Sequence, residues 1–248
     1  TNNVFEVPFT VGANLPPILD VAFDGQHILD GDIVSPNPLI TVSVKDEDKY
    51  SYLKDTEGME MLLLKPNSHN FEQVNLKGGE VKVFPADKNK DFRVEYNPQN
   101  LPNGLYKLRV QARDVSNNAS GFEPYEISFN VINESTISNF YPYPNPLTSK
   151  TRFVFTVTGA QIPQNLKVQI LTVTGKVIRE ITKEELGPIK IGNNTSEYAW
   201  DGTDEFGDKL ANGVYLYRVV LDTDLFTHRN TAGDKAFTKG YGKLYILR

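Results

Sequence analysis

Two short motifs occur twice in this chain, in the same order and at almost the same spacing. Pro-Asn-Pro-Leu stands at 36–39 and again at 144–147, 108 positions later. Asn-Gly-Leu-Tyr-Lys-Leu-Arg-Val at 103–110 returns as Asn-Gly-Val-Tyr-Leu-Tyr-Arg-Val at 212–219, 109 positions later. One such recurrence is chance. Two at a common offset make the chain a tandem of related units, each of roughly 110 residues. A length of 248 residues then reads as two ordinary domains rather than one large one.

Inside each unit the apolar period is two, the signature of a half-buried strand. Tyr106, Leu108, Val110 and Ala112 alternate with Lys107, Arg109, Gln111 and Arg113, and Phe153, Phe155 and Val157 alternate with Arg152, Val154 and Thr156. Leu166–Val173 is a further strand, turned back at Thr174-Gly175 into Lys176–Ile181. Tyr198 and Trp200 share a face, which puts Trp200, the only tryptophan, in a core; Tyr241–Leu247 closes the second unit. Gly104 and Gly213 each follow an asparagine, and Asn-Gly supplies the positive φ of a tight turn. Tyr106, just after the first of these turns, holds the place of a tyrosine corner, and Tyr215 stands at the matching place in the second unit. The one helical signal is a single turn at Thr182–Leu186, stopped by Gly187-Pro188.

These patterns predict an all-β protein of two tandem immunoglobulin-like β-sandwiches, over 13–134 and 135–248, with residues 1–12, around the strand-like Val4–Val11, as the last strand of a preceding domain. The boundary is expected near Asn133–Phe140. The prolines of Tyr141-Pro142-Tyr143-Pro144-Asn145-Pro146 fix an extended entry there and end any ladder.

Composition removes whole classes of function. A net charge of −5 argues against nucleic acid as a partner. No apolar run approaches the roughly 20 residues of a membrane helix, so no membrane insertion is expected. Thr1-Asn2-Asn3 opens no signal peptide, which suits a mature or excised piece. The absence of cysteine removes disulfides, thiolate metal sites and a cysteine nucleophile together. His27, His69 and His228 have no ligand-spaced partners, and no nucleophile elbow or phosphate loop is present. No cofactor is called for and no catalytic residue is assigned. Calcium is the one ion the loops could take, through Asp46 and Asp48 with Asp114, or more weakly through the Asp201–Asp208 loop. Asp and Gly in such loops equally serve turns.

One strand carries an expectation about partners. After Gly213, Tyr215, Tyr217, Val219 and Leu221 form one face, while Val214, Leu216, Arg218 and Val220 form the other. The matching outward face of the first unit is Leu105, Lys107, Arg109 and Gln111, which suits water. A strand apolar on both sides is normally covered on both. The cover at Val214, Leu216 and Val220 is the segment Leu221–Phe237, the first domain or a partner, with a domain or partner contact favoured. A carbohydrate module using Tyr50, Tyr52 or Phe71 is the alternative.

The second unit resembles the immunoglobulin-like domain that ends many surface proteins of Bacteroidetes, a domain similar to one in flagellar hook-capping proteins. The matching residues are Tyr143-Pro144-Asn145-Pro146, Val173-Thr174-Gly175-Lys176-Val177, Trp200-Asp201-Gly202-Thr203-Asp204, Leu210-Ala211-Asn212-Gly213-Val214-Tyr215 and the basic last strand Lys243–Arg248. The resemblance implies export by the type IX secretion system and a place outside the cell, at the outer membrane. With Asp20–Asp32 and Ala112-Arg113-Asp114-Val115-Ser116-Asn117-Asn118, the whole chain looks like the C-terminal part of a gingipain-like cysteine peptidase or sortase component of that system. The Cys and His of such a peptidase would lie upstream, so this piece is expected to be no enzyme. What the resemblance implies is a structural or docking module for protein partners of the secretion or cell-surface machinery. Two segments depart from the pattern, Thr182–Glu197 and Leu221–Phe237, both longer than in sorting domains. They suit a permanent module as well as a cleaved signal.

Overall fold

The computed structural model describes residues 15–46, 52–221, 227–228, 237–238 and 240–248, the two short pairs as backbone only. The strand expected at Val4–Val11 lies outside the described residues, as do Asp48, Tyr50 and most of Leu221–Phe237.

Alternation of branched and aromatic residues with polar ones gives the strands read around Tyr106–Ala112, Phe153–Val157, Leu166–Leu171 and Tyr241–Ile246, whereas Trp200 makes only an isolated bridge to Thr151, and the described strands outnumber those read. In chain order they are β1 (Ile18–Phe23), β2 (Asp32–Val34), β3 (Ile40–Lys45), β4 (Met59–Leu64), β5 (Glu72–Gln73), β6 (Val81–Phe84), β7 (Phe92–Tyr96), β8 (Gly104–Ala112) and β9 (Tyr125–Val131). There follow β10 (Thr136–Tyr143), β11 (Arg152–Val157), β12 (Leu166–Leu171), β13 (Val177–Ile181), helix α1 (Lys183–Leu186), β14 (Gly192–Thr195), β15 (Gly213–Leu221), β16 (Thr227–His228), β17 (Phe237–Thr238) and β18 (Tyr241–Ile246). The fold is all-β, two immunoglobulin-like sandwiches in tandem.

The described residues form two compact units. One holds those up to Asp30, Pro38–Gln99 and Leu105–Ser128; the other holds Gly31–Asn37, Asn100–Gly104 and Phe129–Arg248. In the first, β1-β3-β7-β6 forms one sheet and β9-β8-β4-β5 runs through the other. Its inward residues are those the period selects: Val42, Val44, Val94, Met61, Leu108 and Val110 are all buried. In the second, the short β2 lies parallel to the end of β9, with Asp32 opposite Phe129 and Val34 opposite Val131. The sheets β14-β11-β10-β16 and β13-β12-β15-β18-β17 enclose its core. That core joins Ile137, Phe140, Phe153, Phe155, Val168, Ile170, Trp200, Tyr217, Leu244 and Ile246. Helix α1 is the single expected turn. Thr182 caps it in a reciprocal capping box with Glu185, and Gly187 ends it at φ 87°.

Two local readings are corrected. The prolines after Asn133 do not end a ladder, because Pro142 sits inside β10 opposite Phe153. β16 accompanies β10 only at Thr136 and Ile137, so the missing N–H of Pro142 falls on a side of the strand with no described ladder, where proline is tolerated. Asn212-Gly213 and Asn103-Gly104 are not tight hairpin turns. Each glycine is the first residue of its strand, with φ 157° at Gly213 and 138° at Gly104, and neither asparagine has positive φ.

Candidate functional site

The asparagines that were read as turn formers act through their side chains. Asn212 Oδ1 accepts the backbone N–H of Arg248 at 3.0 Å, and its Nδ2 donates to the Arg248 carbonyl at 3.2 Å. Asn103 does the same work at the entry of β8, its Oδ1 accepting the N–H of Asn133 at 2.7 Å. Each asparagine therefore pins the chain beyond a late strand to the entry of the strand that follows the repeated motif. Asn145, of the second Pro-Asn-Pro-Leu, accepts the Tyr245 N–H at 2.9 Å and donates to the Lys243 carbonyl at 3.0 Å. Asn37, of the first, instead accepts the N–H of Asn100 at 2.6 Å.

Trp200 is fully buried, and its indole N–H donates to the Thr203 carbonyl at 2.9 Å. The loop after it closes on itself: Asp204 Oδ1 accepts the N–H groups of Phe206 and Asp208, both at 2.9 Å, and Asp201 accepts the Thr203 hydroxyl at 2.8 Å. The Arg248 guanidinium donates to the carbonyls of Leu210, Gly202 and Asp201. Tyr215 donates its hydroxyl to the Ala211 carbonyl, four residues upstream, at 3.0 Å, which is the bond of a tyrosine corner. Tyr106 is buried, and that burial pushes its phenol up.

The calcium candidates do not converge among the described residues. Asp114 is buried, and its carboxylate accepts the N–H groups of Ser116 and Asn118 and the Asn118 amide, at 2.9, 2.8 and 2.6 Å. Its oxygens serve the turn Asp114–Asn118. Asp46 is the last residue described before 47–51, and Asp48 lies among those. Among the described residues no three His, Cys, Asp or Glu side chains gather as a metal would need. Of the rings weighed for carbohydrate, Tyr52 and Phe71 are half-buried, and Phe71 lies under the Arg109 guanidinium at 4.2 Å.

The outward face of β15 is built from two kinds of group. Tyr215, Val219 and Leu221 pack inward against the core. On the other side Val214 is exposed, while Leu216 and Val220 are half-buried. A polar row crosses four strands between them. Lys167 and Gln169 on β12 donate to Glu180 on β13, Arg218 Nε donates to Gln169 Oε1 at 2.6 Å, and Arg218 Nη1 reaches the Tyr241 hydroxyl on β18 at 3.4 Å. The hydrogen bonds from Gln169 and Lys167 hold the Glu180 carboxyl below the usual glutamate range. Beside Val220 the face opens into a groove of about 460 Å³, lined also by Leu221, Lys167, Gln164 and Thr182. The first unit treats the same strand face differently. There Lys107, at the place of Leu216, and Arg109, at the place of Arg218, share Glu126, and Gln111 stands at the place of Val220.

Residues 145–224 match the model of the FlgD Ig-like domain family. Among solved structures, the chain is similar to dimeric latent PorU from Porphyromonas gingivalis, with 21% identity, 96% of this chain covered and a TM-score of 0.36. It is also similar to the surface protein SGBP-B of the mixed-linkage glucan utilization locus of Bacteroides ovatus (12% identity, 94% of this chain and 60% of that one, TM-score 0.29). The fibronectin(III)-like modules of CbhA from Clostridium thermocellum are similar as well (13% identity, 92% and 93% covered, TM-score 0.27). The chain spans about a fifth, 21%, of the PorU chain it matches. No curated protein matches it. These likenesses concern the fold alone.

Proposed function

We propose that this chain is a non-catalytic structural and docking module of an exported surface protein, attached to or sorted by the type IX secretion machinery. In this reading the parent is a gingipain-like peptidase or sortase component at the outer membrane, and sequence 13–134 and 135–248 are its two end domains. The observation that carries the reading is the outer face of β15. In a sandwich matching the FlgD Ig-like family, Leu216 and Val220 stand where the first unit has Lys107 and Gln111, and Val214, like its counterpart Leu105, is an exposed apolar residue beside them. Apolar side chains on an outer sheet face mark an interaction surface when they are grouped, and the Arg218 row beside them supplies a polar rim that fixes orientation.

Leu216→Glu tests it. The chain should keep its thermal midpoint and lose association with the secretion-system proteins of its source, measured by pull-down from outer-membrane extracts. A fall in the midpoint of the second unit alone would make the chain's own segment the cover. Unchanged association and unchanged stability would remove the docking role from this face. The purified chain should cleave no peptide substrate, with or without reducing agent.

A further inference from the structure

We infer that the second unit carries a sugar-binding platform on the opposite sheet, at Tyr141 and Tyr143 of β10, and that its ligand is a hexopyranose glycan. β10 alternates strictly here. Phe140 and Pro142 are buried, whereas Tyr141 and Tyr143 point away from the core and are 40% and 68% exposed. Residues two apart on a strand stand on one face about 7 Å from each other. The two phenols therefore form a short row on the outside of β14-β11-β10-β16.

The row stands on an immobilised backbone. The Phe140 ring stacks on Phe155 at 5.1 Å and lies 5.5 Å from Phe153, and its carbonyl accepts the buried Tyr217 hydroxyl at 3.0 Å. Beyond the row, the Thr151 hydroxyl donates to the Pro144 carbonyl at 2.8 Å, and Asn145 is tied to β18 from both ends of its amide. A backbone held in this way loses little freedom on binding, one of the costs that limit a small ligand's affinity.

The surroundings select the ligand class. Opposite Tyr143 stands Arg152, exposed and oriented by hydrogen bonds from Nη1 to the carbonyls of Ser196 and Glu197. Opposite Tyr141 stands the half-buried Val154, and Thr195 is next in the same row on β14. Asn139, exposed, precedes Tyr141 on the same strand. The apolar area is thus two ring faces and one valine, bordered by a guanidinium, a hydroxyl, an amide and the phenols' own polar tips. A pyranose has a C–H face to lie on the rings and hydroxyls around its edge to meet those donors and acceptors. The platform is separate from the β15 face and does not depend on its role.

The test is a nitrogen-15 chemical-shift titration of the whole chain with cellohexaose, mannohexaose and galactohexaose. At least one should shift the amides of Asn139, Phe140, Tyr141 and Tyr143, of Arg152–Val154 and of Thr195, and leave the first unit unmoved. Tyr143→Ala should weaken that binding at least tenfold, and Tyr143→Phe by no more than a few-fold, both with unchanged thermal midpoints. Leu216→Glu should bind as the parent chain does, so failure of the docking reading and failure of this one are separable. Silence with all three oligosaccharides, shifts confined to other residues, or undiminished binding by Tyr143→Ala would overturn the proposal. So would concentration-dependent self-association that Tyr143→Ala abolishes without any sugar response, which would assign the rings to a protein contact.

Discussion

Gly242 illustrates how little latitude single residues have where strands meet a ring. Its strand φ is ordinary, yet a Cβ there would lie 2.1 Å from Cζ of Tyr217, a side chain with no exposure and a hydroxyl committed to Phe140. Gly242→Ala should therefore destabilise the second unit by about 1–3 kcal/mol, the usual cost of overpacking a tight core. Chemical denaturation checks this, with a shifted midpoint and an unchanged slope expected. Asn212→Ala should act more gently. It removes two exposed hydrogen bonds to Arg248, each worth about 0.5–1.5 kcal/mol net. Its clearest effect should be faster amide exchange at the end of β18. Of these residues Trp200 was legible in the sequence, because alternation with Tyr198 assigns a face and an isolated large aromatic belongs in a core. The role of Asn212 was not, since one amide side chain suits a tight turn and a strand-to-strand clamp equally well. Tyr141 and Tyr143 were hidden in a different way. Three nearby prolines read as the end of a ladder, and only the pairing of Pro142 with Phe153 reveals an alternating strand.

At the scale of elements, the polar row on β13, β12, β15 and β18 makes the second sandwich sensitive to acid in a defined direction. Glu180 has a carboxyl pKa lowered by Gln169 and Lys167, so its ionised form is favoured by folding. The stability it contributes is fully present above the ordinary glutamate pKa and is lost as pH falls through its lower folded value. Glu180→Gln should be slightly less stable than the parent at neutral pH, and the gap should close on acidification below the usual carboxylate range, as read from midpoints across a pH series. A gap that widened in acid would mean that the row repels rather than holds the charge. Strands β8, β11, β12, β15 and β18, the Thr174-Gly175 hairpin and the turn Lys183–Leu186 were readable from local chemistry, because period two, a positive-φ glycine and a Gly-Pro stop are local signals. The row was not, because it joins residues up to 74 positions apart, from Lys167 to Tyr241, through register alone.

For the molecule as a whole, the repeated motifs announced two sandwiches, but they do not make two copies of one surface. The first unit pairs Lys107 and Arg109 with Glu126, whereas the second places Leu216 and Arg218 there and turns Arg218 to Gln169 instead. Shared architecture came from residues that face inward, and these are the ones a repeat keeps; outward faces are free to diverge. This makes a prediction about cooperativity. Trp200 is among the largest fully buried side chains and belongs to a core made of second-unit residues alone. Trp200→Ala removes that ring and leaves the Thr203 carbonyl without its indole donor. The expected cost is about 3–5 kcal/mol, against total stabilities of about 5–15 kcal/mol for ordinary domains. The loss should fall on one sandwich. Amides of β11, β12, β15 and β18 should exchange markedly faster, while those of β3 and β7 keep their parent protection, as followed by hydrogen exchange with mass spectrometry. Equal loosening of both sets would show that the two cores melt as one cooperative block. An unchanged thermal midpoint would mean that the second core does not depend on its largest ring, against the burial and the hydrogen bond that place Trp200 at its centre.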